Sequence, residues 1–290
     1  MLHKQPNDLK PLADLKVVSL AINLPGPIAA ARLRDLGATV TKIEPPEGDP
    51  LARGCAEWFQ ALHENVSIVP LDLKAASDHE RLSALLGDAD LLLTSSRPSA
   101  LERLGLAWHE LHPRFPRLCH VAIIGHGPPH EDRPGHDLTY QATLGLVDPP
   151  HLPRALVADL GGAEEAVTTA IALLLARERG QEAQAAYVSL EAAAARHAVP
   201  YEYGLTSVGG LLGGGWSGYN LYQAAEGWIA VAALEPHFAE RLVQELGIAS
   251  LTHELLARAF REREAEEWES WAASHDLPIR AVRDLAGKND

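Results

Sequence analysis

The chain has 290 residues, 47% of them hydrophobic, enough for one large domain or two smaller ones around a buried core. Thirty-nine acidic residues against 25 basic ones give a formal charge of −14 with no basic cluster, so no nucleic acid and no membrane surface is expected as a partner. Cys55 and Cys119 lie in unrelated contexts, which excludes a disulfide framework or zinc knuckle. Residues 1–10 carry no signal-peptide core, and no apolar run reaches the roughly 20 residues needed to cross a bilayer. A reducing, cytoplasmic setting is therefore the expected one.

In chain order, the β-branched run at 16–21 predicts a first strand, ended by Pro25-Gly26-Pro27. A helix over 28–36 closed by Gly37 and a strand at 40–43 complete a strand-helix-strand unit. Further strands are predicted at 67–73, 89–94 and 117–124, with a helix at 79–86. Such alternation predicts a mostly parallel sheet. Ala- and Leu-rich residues 162–179 predict a helix, 186–190 a strand, and 191–198 a second helix ended by Pro200. The fold class expected is α/β, with a Rossmann-like large domain over 1–195, a glycine-rich linker over 196–218 and a smaller α+β domain over 219–290. In that small domain, 223–231 reads as a hairpin, followed by helices at 239–246, 252–263 and 264–275.

Three short segments carry candidate acid/base groups beside turns, where side chains can face a ligand: Arg133-Pro134-Gly135-His136-Asp137, Ala158-Asp159-Leu160-Gly161-Gly162 and Leu234-Glu235-Pro236-His237-Phe238. Each also has a plain structural reading. His136 can be a solvated loop histidine, Asp159 an N-cap for the helix that follows, and Glu235 an acid matched to a helix dipole. His126, His130, Asp132 and His136 are close in sequence, but the prolines and glycine between them break any regular ligand face, so no metal is expected. The Gly26 turn lacks Gly-x-Gly-x-x-Gly, and its prolines remove donors that a pyrophosphate would need, which argues against nicotinamide binding.

Taken together, the segments resemble the CaiB–BaiF family, the class III CoA-transferases, which also contain α-methylacyl-CoA racemase. The likeness runs in order through 11–18, Pro25-Gly26-Pro27, 35–45, Leu71-Asp72-Leu73-Lys74, Arg97-Pro98, 101–106, Gly125-His126-Gly127 and the three segments above. It implies that Asp159 is the central carboxylate. In transferases this residue attacks an acyl-CoA thioester to give a mixed anhydride, and in racemases it moves a proton. His136 follows Pro134-Gly135 where transferase-like members carry tyrosine, so the resemblance is closest to the racemase branch, in which Glu235 would tune the catalytic pair.

On that reading His136 and Asp159 flank an α-carbon and exchange its proton between faces, because free imidazole and carboxylate differ by only roughly 2 to 3 pKa units. Backbone N–H groups of Gly161 and Gly162 are the candidate donors to the enolate oxygen. The resemblance further implies a coenzyme A thioester as substrate, no permanently bound cofactor, and CoA contacts from Arg97, Lys74, Arg103, Gly125 and Gly127, with Arg53 as a helper. His63-Glu64-Asn65-Val66-Ser67 stands where relatives carry a basic run, so phosphate contacts are thinner here. A homodimer is expected, interlocked as in the family, with His136 and Glu235 supplied by different domains. Racemisation of a 2-methylacyl-CoA leads. CoA transfer between carboxylic acids and a binding protein without turnover are the alternatives.

Overall fold

The computed structural model describes residues 9–283. The chain divides into two compact units between Ala198 and Val199. The first holds β1 (Lys16–Ser19), α1 (Pro25–Asp35), β2 (Thr39–Glu44), α2 (Pro50–Gly54), α3 (Ala56–Leu62), β3 (Ser67–Pro70), α4 (Ala76–Gly87) and β4 (Leu91–Thr94). After these come α5 (Pro98–Arg103), α6 (Trp108–Arg114), β5 (Cys119–Ile124), α7 (Asp137–Thr143), α8 (Val157–Glu178) and β6 (Ala185–Ser189). The chain then enters α9 (Leu190–Glu202), within which the division falls.

Six strands form one sheet in the order β3-β2-β1-β4-β5-β6, every neighbouring pair parallel. This is the doubly wound Rossmann-like order, whose ligand crevice lies at the carboxyl ends of the strands where the winding reverses, between β1 and β4. The alternation of side chains assigns the two faces. Val17, Leu91, Leu93, Cys119, Val121 and Ile123 pack with α1 and α8, while Val18, Leu92 and Ile43 pack with leucines of α4, α5 and α6. With helices on both faces, the central strand β4 is buried at all four positions.

Pro25-Gly26-Pro27 does not merely end β1. It forms the first turn of α1, where proline's fixed φ suits a helix start and its missing N–H is not needed. A Cβ on Gly26 would stand 2.1 Å from the Ala21 Cβ, so only glycine lets α1 begin this close to the chain leaving β1. Pro200 likewise does not end α9, which runs to Glu202. Near a C-terminus a proline removes a single ladder bond, a small loss compared with the same change in mid-helix. Helices α2, α3, α5, α6 and α7 were not expected; each has at most seven residues, too few for a helical period to stand out.

The second unit contains β7 (Tyr219–Gln223), β8 (Trp228–Ala232), α10 (Pro236–Leu246), α11 (His253–Phe260), α12 (Ala265–Ser274) and β9 (Ile279–Ala281). Its three strands form an antiparallel sheet in chain order, with Gly227 at φ 78° in the hairpin turn between the first two. Ile229, Val231 and Ile279 pack against Leu242, Leu256, Phe260 and Trp268, which gives the smaller unit its own core. Residues 208–218 belong to this unit and include a glycine-rich turn at Leu211–Gly215. No helix among the described residues is long and apolar enough to cross a membrane.

Candidate active site

A cleft of about 290 Å³ opens where β1, β4 and β5 end. Ile22, Asn23 and Pro25 line it from the segment after β1, Ser95 and Arg97 from the segment after β4, and Ile124 with Gly125 from the end of β5. His136 and Asp159 face the same space, as do Arg133 and Glu131. The sheet order therefore places the chemistry where a doubly wound fold offers its ligand crevice.

Asp159 is the third residue of α8, not the cap in front of it. The cap position belongs to Leu156, whose side chain makes no capping bond. Asp137, at the start of α7, supplies the missing acceptor from a distance. Its Oδ1 accepts the N–H of Ala158 at 2.7 Å and of Asp159 at 3.2 Å, and its Oδ2 accepts from Gln141 Nε2 at 2.5 Å. Gln141 also donates to the Ala155 carbonyl at 2.9 Å. Asp137 thus caps α8 and anchors the chain around Asp159.

Burial first, then the charge of Asp137, raise the Asp159 carboxyl to about 6, with the nearby His136 pulling the other way. Tyr140 is 1% exposed. Burial, then the charges of Asp159 and Glu191, push its pKa up to about 12, so it stays protonated beside the site. Asp137→Asn keeps an oxygen to accept the two amides but removes the charge. The Asp159 pKa should then fall from about 6 toward the ordinary carboxylate range. A carbon-13 NMR titration of the Asp159 carboxyl checks this; an unchanged or higher value would refute the role given to Asp137.

Gly161 and Gly162 lie inside α8, past its first turn, so their N–H groups belong to the helical ladder and are not free for an oxyanion. Their smallness serves packing. A Cβ on Gly162 would come 2.3 Å from Leu190 Cδ2, and one on Gly161 would come 2.7 Å from His197 Nε2.

The structure brings Asp159, His136, Arg97 and Gly125 to one cleft. Lys74, Arg103, Gly127 and Arg53 are not among its lining residues. Lys74 sits on the exposed loop after β3, Arg103 ends α5 on the surface, and Arg53 donates to the Glu47 carbonyl. Glu235 lies in the second unit as the exposed cap residue of α10, where it makes no side-chain capping bond. His126 pairs with Glu191 at 2.9 Å, and Asp132 accepts from Ser99 at 2.7 Å. Among the described residues, metal-sized proximity of donors occurs only at Glu44, Asp49 and His63, and the Lys42 ammonium already contacts all three.

Asp137, Asn23, Ser95, Glu131 and Arg133 were not singled out in the sequence as site residues. One signal for Asp137 was available: a helix opening after Leu156 with no Ser, Thr, Asp or Asn to cap it must find its acceptor elsewhere.

Comparison with known proteins finds relatives in sequence and in fold. The chain is 28% identical over 263 residues to a protein named succinyl-CoA–D-citramalate CoA-transferase from Chloroflexus aurantiacus, a match covering 82% of this chain and 65% of that one. It is 26% identical to "Probable fatty acyl-CoA transferase Rv3272" of Mycobacterium tuberculosis, covering 96% and 88%. A crystal structure of Rv3272 superposes with a TM-score of 0.83 at 25% identity, over 96% of this chain and 86% of that one. A CAIB/BAIF family protein from Brucella suis shares the fold, with a TM-score of 0.78 at 21% identity over 96% of this chain and 85% of that one. The family model described as CoA-transferase family III matches residues 12–288, and the chain belongs to that family.

Proposed function

We propose that this protein moves coenzyme A between carboxylic acids, with Asp159 as the nucleophile. The observation that carries the reading is Asp159 itself: a half-buried carboxylate in the cleft at the strand ends, its helix start held by Asp137. The relatives named as CoA-transferases support it. A carboxylate oxygen of Asp159 attacks the thioester carbon, the carbon–sulfur bond breaks, and the CoA thiolate leaves a mixed anhydride. Return of the thiolate to the aspartyl carbonyl releases the first acid and leaves an aspartyl thioester. The acceptor carboxylate attacks that thioester, and the thiolate finally takes the acceptor acyl group and frees Asp159. Every step uses one carboxylate and one thiolate, so no cofactor beyond the CoA thioester is required. Arg97, on the cleft wall, is placed to receive an anionic part of either substrate.

The exchange of a labelled acid tests this. Incubating the protein with succinyl-CoA and isotopically labelled short-chain, branched, hydroxy and aromatic acids should give labelled acyl-CoA with at least one of them. Failure across the whole panel would count against CoA transfer.

His136 favours a second reading. It shares the cleft with Asp159 and interacts with its charge, so the two can pass an α-proton as a base pair. Racemisation of a 2-methylacyl-CoA would then wash deuterium into the α-position in heavy water with no acceptor acid present, whereas transfer alone would not. We also propose a homodimer as the working form, for which sedimentation velocity at a mass near twice 31.3 kDa is the check.

A further inference from the structure

Beside the cleft lies a buried charged cluster that the proposed chemistry does not use. Lys42, on β2, is 1% exposed. Its ammonium donates to Asp49 Oδ2 at 2.5 Å and to His63 Nε2 at 2.8 Å, and it lies 4.9 Å from the centre of the Phe59 ring. Glu44 Oε1 is 3.0 Å away as an ion-pair contact. His63 Nδ1–H donates to the Phe59 carbonyl at 2.7 Å, which leaves Nε2 bare to accept from the lysine. Burial chiefly lowers the His63 pKa, in keeping with a neutral ring.

Asp49 uses its other oxygen differently. Oδ1 accepts the Leu51 N–H at 2.9 Å, which caps α2, and also the Asn23 N–H at 3.0 Å, across from the loop after β1. Asn23 is held at φ 73°, a left-handed conformation that needs support in a non-glycine residue. Asn23 lines the cleft, and so does Pro50, the residue next to Asp49. One buried carboxylate, aimed by Lys42, therefore ties together two loops that form one wall of the cleft.

We propose that Asp49 is a positioning residue, which through its bond to the Asn23 amide fixes the wall that receives the acyl-CoA while taking no part in bond-making at Asp159. The proposal rests on the cleft being the thioester site. Two variants separate its bonds. In Asp49→Ser a short hydroxyl still caps α2 but extends neither to the Asn23 amide nor to Lys42. In Asp49→Asn, made together with Lys42→Met so that the amide NH2 meets no ammonium, the amide oxygen still accepts both backbone N–H groups while the charge is lost.

The expected result is ordered. Asp49→Ser raises the KM for succinyl-CoA at least tenfold with kcat within threefold of the parent protein, whereas the double variant leaves KM within threefold. An ion pair that only stabilises the fold would not give this order, since both variants lose it. Hydrogen exchange at the Asn23 amide gives a readout independent of any ligand, faster in Asp49→Ser and near the parent rate in the double variant. Equal effects in the two variants, or unchanged Asn23 exchange in Asp49→Ser, would overturn the proposal. Parent protein that forms no labelled acyl-CoA sinks the transfer reading instead, and the Asn23 exchange still decides the role of Asp49.

Discussion

Replacing Asp159 with alanine is expected to lower CoA transfer by at least about a thousandfold while leaving the fold intact. The size follows from the role: removing the nucleophile that forms a covalent intermediate typically costs several orders of magnitude. Stability should change little, because the side chain is half-buried and α8 is capped by Asp137 through backbone amides that alanine retains. The same residue sets the pH dependence. Its carboxyl titrates at about 6, and the attacking form is the carboxylate. Activity should therefore rise as pH increases through about 6 and fall tenfold for each unit below it. Two-base racemisation needs one partner protonated and the other not, and would give a bell instead. Initial rates between pH 4.5 and 8 distinguish the shapes, and Asp159→Ala protein with more than a tenth of parent activity would refute the nucleophile.

Lys42→Met is expected to have the largest effect on stability. The ammonium is buried among Asp49, Glu44 and His63, so its removal leaves two carboxylates facing each other with little water to receive them. Breaking one side of a buried ion pair typically destabilises by about 3–5 kcal/mol. Methionine fills the space of the lysine stem, so the loss is electrostatic and not a cavity. For a chain of this length that corresponds to a Tm lower by about 5–8 °C. Differential scanning calorimetry is the check, and a Tm within about 2 °C of the parent protein would show that the cluster relaxes or takes up water.

Much of the first unit was legible in the sequence because its signals are local. Val17-Val18, Leu91–Thr94 and residues 121–124 are β-branched or apolar throughout, and strands buried on both faces need that composition. Their parallel order followed from alternation with helices. The helices of the second unit, 8 to 11 residues long, were equally readable from their apolar spacing, whereas the three-residue strand β9 was too short to give any period. What failed was terminal chemistry. Pro25 was taken as part of the turn after a strand and Pro200 as the end of a helix, yet Pro25 is itself the first residue of α1 and Pro200 sits in the last turn of α9.

In the candidate site the difference lies between reactive groups and the groups that hold them. His136 and Asp159 stood out as residue types in turn-rich contexts, and the fold places both on one cleft. Asp137 is adjacent to His136 in sequence, but its bonds go to amides 21 and 22 residues away, a separation that no local pattern encodes. Asp49 reaches Asn23 across 26 residues in the same way. Gly161 and Gly162 show the opposite case: expected to offer free amides at a helix start, they are interior helical residues because α8 begins at Val157.

The covalent intermediate is the most direct test of the central claim. Protein mixed with succinyl-CoA and quenched with hydroxylamine should yield a peptide bearing a hydroxamate at Asp159 on tandem mass spectrometry, absent without the thioester. Unmodified Asp159 under conditions where labelled acyl-CoA is being formed would contradict the account.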